Sequence, residues 1–215
     1  MFARITWSKI STQRIDAVTS NYREKILPSL RTQAGFLGGV VLTNGEGVAA
    51  SYWQTAEAMS ASEEMSTAGR AEAIRTAGGD MEIVEVDRFE IIQQDRSAPV
   101  QVGTFVRSND LRGSIAQIDA TVAFMRDKAI PVLKAQPGYR ALLTMVNRET
   151  GRLLVTSVWN TAADREASDA AIRALRQQVG EIAQAQNIRV SLYESLVAEV
   201  SPAAQAATTT AAGAA

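Results

Sequence analysis

The sequence predicts an α+β fold in which two ferredoxin-like βαββαβ repeats fuse into one intrachain eight-stranded barrel, and three observations predict it. The chain is written twice. The segment from Glu24 to Phe36 returns from Asp127 to Tyr139, and Pro28/Pro131, Gly35/Gly138 and Asn44/Asn147 are each 103 residues apart (131 − 28, 138 − 35, 147 − 44). A repeat this long is a duplicated domain rather than a solenoid unit. Within each copy the apolar spacing switches in the order strand, helix, strand, strand, helix, strand, the split βαβ arrangement with both helices on one sheet face. Finally, the hairpin strands are apolar on both faces, with Val40, Leu42, Leu142 and Val146 on one side and Val41, Leu143 and Met145 on the other. The face not covered by helices therefore needs a partner, and the second copy can supply it as an intrachain pseudo-dimer.

Phe2 to Trp7 reads as a first strand. After Ser11 and Thr12, apolar residues at Ile15, Val18, Tyr22, Ile26 and Leu30 fall on one helix face, repeated by Ile115, Ile118, Val122, Met125, Ala129 and Leu133. Pro28 and Pro131 lie inside this pattern, where a proline removes a backbone hydrogen bond, so each helix is expected to bend there. Gly35 and Gly138 stand where a left-handed residue ends a helix. Phe36 to Thr43 and Val48 to Trp53 flank Asn44-Gly45, a hairpin signal, and Tyr139 to Val146 with Leu153 to Trp159 form its counterpart on a longer turn. Thr55 and Thr161 are placed to cap the helices that follow, to about Thr76 and Gln184. Last strands run from Met81 to Ile92 and from Ile188 to Val197. The division that follows is a first repeat over 1–93, a linker over 94–99, a second repeat over 100–200 and a disordered Ala/Thr-rich tail over 201–215.

Composition narrows the function. Of 215 residues, 46% are apolar, enough for real cores, and 22 basic residues nearly cancel 23 acidic ones. They are scattered, which argues against a nucleic-acid partner. There is no cysteine and no histidine, which excludes disulfides, thiolate metal sites, thiol nucleophiles and imidazole bases. No clustered carboxylates suggest a metal. The N-terminal residues do not resemble a secretory signal and no apolar run is long enough for a membrane helix. A cytoplasmic protein that neither enters a membrane nor carries a cofactor is the expectation.

A kinked first helix ending in Gln33-Ala34-Gly35-Phe36 or Gln136-Pro137-Gly138-Tyr139, a hairpin, and a strand ending Tyr52-Trp53-Gln54-Thr55 or Val158-Trp159-Asn160-Thr161 together resemble the antibiotic biosynthesis monooxygenase (ABM) domain of the dimeric α+β barrel superfamily. The resemblance covers both copies. It implies a hydrophobic or aromatic small-molecule ligand and, in catalytic members, cofactor-independent oxygenation; the alternative is a non-catalytic ligand-binding or protein-interaction module of the same fold. Haem degradation is rejected because no histidine is present to ligate iron. The substrate-pocket candidates are Trp53, Trp159, Tyr193, Phe89, Arg107 and Asn109. The tryptophans carry the family's strand-end position. Phe89 and Tyr193 match on the last strands, Arg107 matches Arg4 on the first strands, and Asn109 lies near an asparagine of haem-degrading relatives. Each also has a plain packing or ion-pair reading, as do the unmatched aromatics Trp7 and Tyr52. Asp16 and Asp119 read as solvated helix charges. No catalytic base is identified. Self-association through sheet edges, giving a homodimer, remains open.

Overall fold

Local signals in the sequence account for most of the elements in the computed structural model, which describes residues 1–185 and 187–201. Eight strands are formed, β1 (Phe2–Ile10), β2 (Phe36–Thr43), β3 (Glu46–Trp53), β4 (Met81–Arg96), β5 (Phe105–Arg112), β6 (Tyr139–Asn147), β7 (Arg152–Trp159) and β8 (Ile188–Val200). They hydrogen-bond in the closed barrel order β1-β3-β2-β8-β5-β7-β6-β4. The helices are α1 (Ile15–Asn21), α2 (Leu27–Arg31), α3 (Ala56–Ala61), α4 (Glu63–Thr76), α5 (Ile118–Phe124), α6 (Ile130–Lys134), α7 (Ala162–Ala167) and α8 (Asp169–Ala183). Among the described residues no helix is long and apolar enough to cross a membrane.

The described residues divide into two units, one comprising Met1–Phe89 with 194–201, the other Glu90–Tyr193. The boundary falls inside β4 and β8. In the first unit β3 lies between β1 and β2, and β2 pairs on its other side with the second half of β8. In the second unit β7 lies between β5 and β6, and β6 pairs with Glu90–Arg96 of β4. The extension of β4 corrects one expectation: residues 94–96, read as linker, are strand, and Gln93 and Gln94 are buried. Their polar sequence gives no alternation to read, and the pairing with β6 determines the outcome. Residues 202–215, most of the expected tail, lie outside the described residues.

The prolines are accommodated by a π-turn rather than a break. Tyr22–Ile26 joins α1 to α2 and Met125–Ala129 joins α5 to α6, with the N–H of Leu27 reaching Tyr22 and that of Ile130 reaching Met125, five residues back. The wider turn relieves the clash that proline causes with the carbonyl four residues earlier. Gly35 and Gly138 take φ of +76° and +71°, the left-handed ending that side chains disfavour. Thr55 and Thr161 cap α3 and α7 by accepting from the N–H of Ala58 at 3.1 Å and Asp164 at 3.0 Å. Ser62 and Ser168 divide α3 from α4 and α7 from α8.

Candidate functional site

Each unit builds the same polar cluster where its first strand meets its long helix. In the first, buried Arg4 of β1 donates to the Ser62 hydroxyl at 3.0 Å, the Ser66 hydroxyl at 2.5 Å and the Met59 carbonyl, and pairs with Glu63 at 3.0 Å. Its guanidinium lies over the Trp53 ring, 5.7 Å from the centroid. Glu63 also receives Arg70 at 2.9 Å and Arg88 at 2.6 Å. Partial burial pushes the Glu63 pKa up, but the hydrogen bonds from Arg88 and Arg70 and the charges of Arg4 and Arg88 outweigh this and hold it at about 2. In the second unit, Arg107 of β5 donates to Ser168 at 2.9 Å and to the Arg165 carbonyl at 2.5 Å, and Asp169 stands where Glu63 does, 3.6 Å from Arg107. Burial lowers the pKa of both Arg4 and Arg107 against the nearby carboxylate; a guanidinium keeps its charge through such a shift. Trp53 and Trp159 donate Nε1–H to Ser51 and Ser157, each at 3.0 Å.

The units differ in the space beside this cluster. In the first, a cavity of about 100 Å³ runs between the sheet and α1, its π-turn and α4, and is walled by Arg4, Thr6 and Ser8 of β1, Ala49 and Ser51 of β3, Val18, Tyr22 and Ile26 of the first helix, and Ser66, Gly69, Arg70 and Ala73 of α4. In the second, the matching space is about 40 Å³ and its wall includes Asn109, Ser157 and Arg176 but not Arg107. Strand register explains the difference. Gly39 pairs with Ser51 as Leu142 pairs with Ser157, Ser8 with Gly47 as Leu111 with Leu153, and Thr6 with Ala49 as Asn109 with Val155. On the long helices, Ser66, Gly69 and Ala73 stand where the second unit has Ile172, Leu175 and Val179, taking the spacing of the two tryptophans (159 − 53 = 106). Seven small residues, Ser8, Gly39, Gly47, Ala49, Ser66, Gly69 and Ala73, thus stand where the second unit has large apolar ones, and all but Gly39 and Gly47 line the cavity. Tyr22 takes back part of that space, because its hydroxyl lies so close to Gly39 that a Cβ there would collide with it. Burial, first, and the Tyr52 and Glu199 charges raise the Tyr22 pKa, so the phenol is neutral.

Trp53 and Trp159 are fully buried and make edge contacts with Phe36 and Tyr139 at 5.3 and 5.8 Å, as core residues do. Phe89 is buried against Trp7, 6.4 Å between centroids, and Tyr193 is buried, with its carbonyl accepting from Arg165 at 3.1 Å. Asn109 donates to the Val155 carbonyl at 3.2 Å and accepts from Arg176 at 2.8 Å. Of the six sequence candidates only Asn109 borders either of these two cavities. The structure gathers Arg107, Asn109 and Arg176 around one helix–sheet junction, and Phe89 belongs to the other unit. Sequence reading missed Tyr22, Ser66, Gly69 and Arg70. The signal was present in the copy-to-copy comparison, as a run of Gly, Ala and Ser facing Leu, Val and Ile at fixed spacing.

No family model matches the chain. An uncharacterized protein of Mycobacterium tuberculosis, Rv2557, is 26% identical over 164 residues, covering 75% of this chain and 72% of its own length. A candidate monooxygenase from Fusobacterium nucleatum superposes with a TM-score of 0.67 at 10% identity, over 93% of this chain and 94% of that one. An anthrone oxidase-like protein gives 0.64 at 13% identity over 98% and 96%. A ferredoxin-fold protein of Listeria monocytogenes related to antibiotic biosynthesis monooxygenases gives 0.52 at 9% identity over 90% and 94%. The chain therefore has the α+β barrel fold of these monooxygenase-like structures.

Proposed function

We propose that the protein binds a small hydrophobic or aromatic molecule in the helix–sheet cavity of its first unit, and that the second unit is a diverged duplicate whose cavity has been narrowed. The observation that carries this reading is that Ser8, Ala49, Ser66, Gly69 and Ala73 line the larger cavity where Leu111, Val155, Ile172, Leu175 and Val179 line the smaller one. A packed interior normally tolerates few voids, and an apolar cavity with a few convergent polar groups is the usual form of a ligand site. At about 100 Å³ it is smaller than the engineered apolar cavity of about 150 Å³ that admits benzene, so a short branched chain or at most a single ring sets the size of its ligand.

Oxygenation of the bound molecule is the second reading, favoured by the names of the fold neighbours. Among the described residues the walls of the cavity include no carboxylate and no imidazole, so a substrate would have to release its proton without one of these bases on the wall. Binding is accordingly the reading we adopt. Calorimetric titration with phenol and toluene tests it: the wild-type protein binds at least one, and the A49V/A73V variant, which carries the second unit's residues, loses that binding with its melting temperature unchanged or raised. Equal binding by the variant, or none by the wild type, overturns the reading.

A further inference from the structure

Resting on that cavity, we infer that its ligand is a small organic anion, a monocyclic or short-chain carboxylate whose charged end meets Arg4. Arg4 is 2% exposed and forms part of the cavity wall, and its Nε has no hydrogen-bond partner among the described residues. A buried donor left unmet is costly. The charge balance points the same way, because the one carboxylate of Glu63 answers three guanidiniums, those of Arg4, Arg70 and Arg88. Arg70 also borders the cavity, with the hydroxyls of Ser66, Ser51 and Thr6. Ser62, Ser66, the Met59 carbonyl and Glu63 engage both Nη groups of Arg4, so the donor left for one carboxylate oxygen is Nε–H, on a group that stays charged.

Polarity is graded along β1, whose residues 4, 6, 8 and 10 all face the cavity. Arg4, Thr6 and Ser8 are buried and Ile10 is half-buried, and at that end Ile15 and Met81 are half-buried as well. An anion with an apolar body would therefore lie with its charge at Arg4 and its body toward Ile15 and Val18. The second unit provides the internal control. Arg107 has the same unmet Nε, and Asp169 answers Arg107, Arg173 and Arg176, yet the cavity there does not reach Arg107. The arginine is structural in both units, and only in the first does free volume adjoin it.

The test titrates the full chain at pH 7 with benzoate, benzamide and toluene, which share a ring and differ in charge, and reads affinity by calorimetry and location by methyl NMR at Ile15, Val18 and Ile26. The expected result is benzoate at least tenfold tighter than both neutral compounds, with shifts at those methyls, and loss of that preference in S66I, which places the second unit's side chain beside Arg4. Equal affinity for all three, or tighter toluene, overturns the anion inference and leaves the cavity reading standing. Binding by none of them overturns both.

Discussion

Glu63 carries more of the first unit's electrostatics than any other side chain described, holding Arg4, Arg70 and Arg88 at once. Its folded pKa of about 2 against an ordinary 4.5 means that its contribution to stability is complete above about pH 4.5 and is lost as pH falls toward 2. The E63Q variant should therefore be less stable than the wild type at neutral pH and converge with it near pH 2, as read by urea unfolding at a series of pH values; a constant difference across that range would contradict the assignment. The tryptophans make a second point at this scale. Their sequence positions suggested pocket walls, but each indole N–H is already met by a serine two residues earlier. S51A should leave that donor buried and unpaired and cost about 1–3 kcal/mol, with S157A costing a similar amount; a change within about 0.5 kcal/mol for either would show that the bond is not needed.

At the scale of elements, hairpins, caps and helix ends were legible because each depends on a few adjacent residues. Asn44-Gly45, the capping Thr55 and Thr161, and the terminating Gly35 and Gly138 all act within four positions of themselves. The π-turns were only half legible: proline signals that an ordinary helix cannot continue unaltered, but whether it bends or widens depends on packing beyond the sequence window. The second half of β4 was not legible at all, since Gln93 and Gln94 are buried by pairing with a strand some fifty residues away. Gly138 gives a clean test, because a Cβ there would collide with the Asp164 side chain and φ is +71°. G138A should destabilise by at least about 1–2 kcal/mol, while T161A, losing the cap and its bond to Asp164, should cost about 1 kcal/mol. Chemical denaturation checks both, and a neutral G138A would mean that the turn relaxes freely.

For the whole molecule, the fold could be read from the internal sequence similarity, whereas the candidate site could be read only from the differences between the two units. No single position announces the cavity. Gly69 alone is an unfavourable helix residue, and Ala49 or Ala73 alone is unremarkable; together, on elements that the fold brings to one helix–sheet junction, they leave a space which Leu175, Val155 and Val179 narrow in the second unit. The central claim, that the larger cavity of one unit takes a ligand and the narrower cavity of the other does not, is tested most directly by a methyl NMR titration with a small aromatic compound such as phenol, toluene or benzoate, following Ile15, Val18 and Ile26 against Ile118, Ile172 and Val179. The account predicts saturable shifts in the first set and none in the second. Shifts of equal size in both sets, or in the second alone, would contradict it.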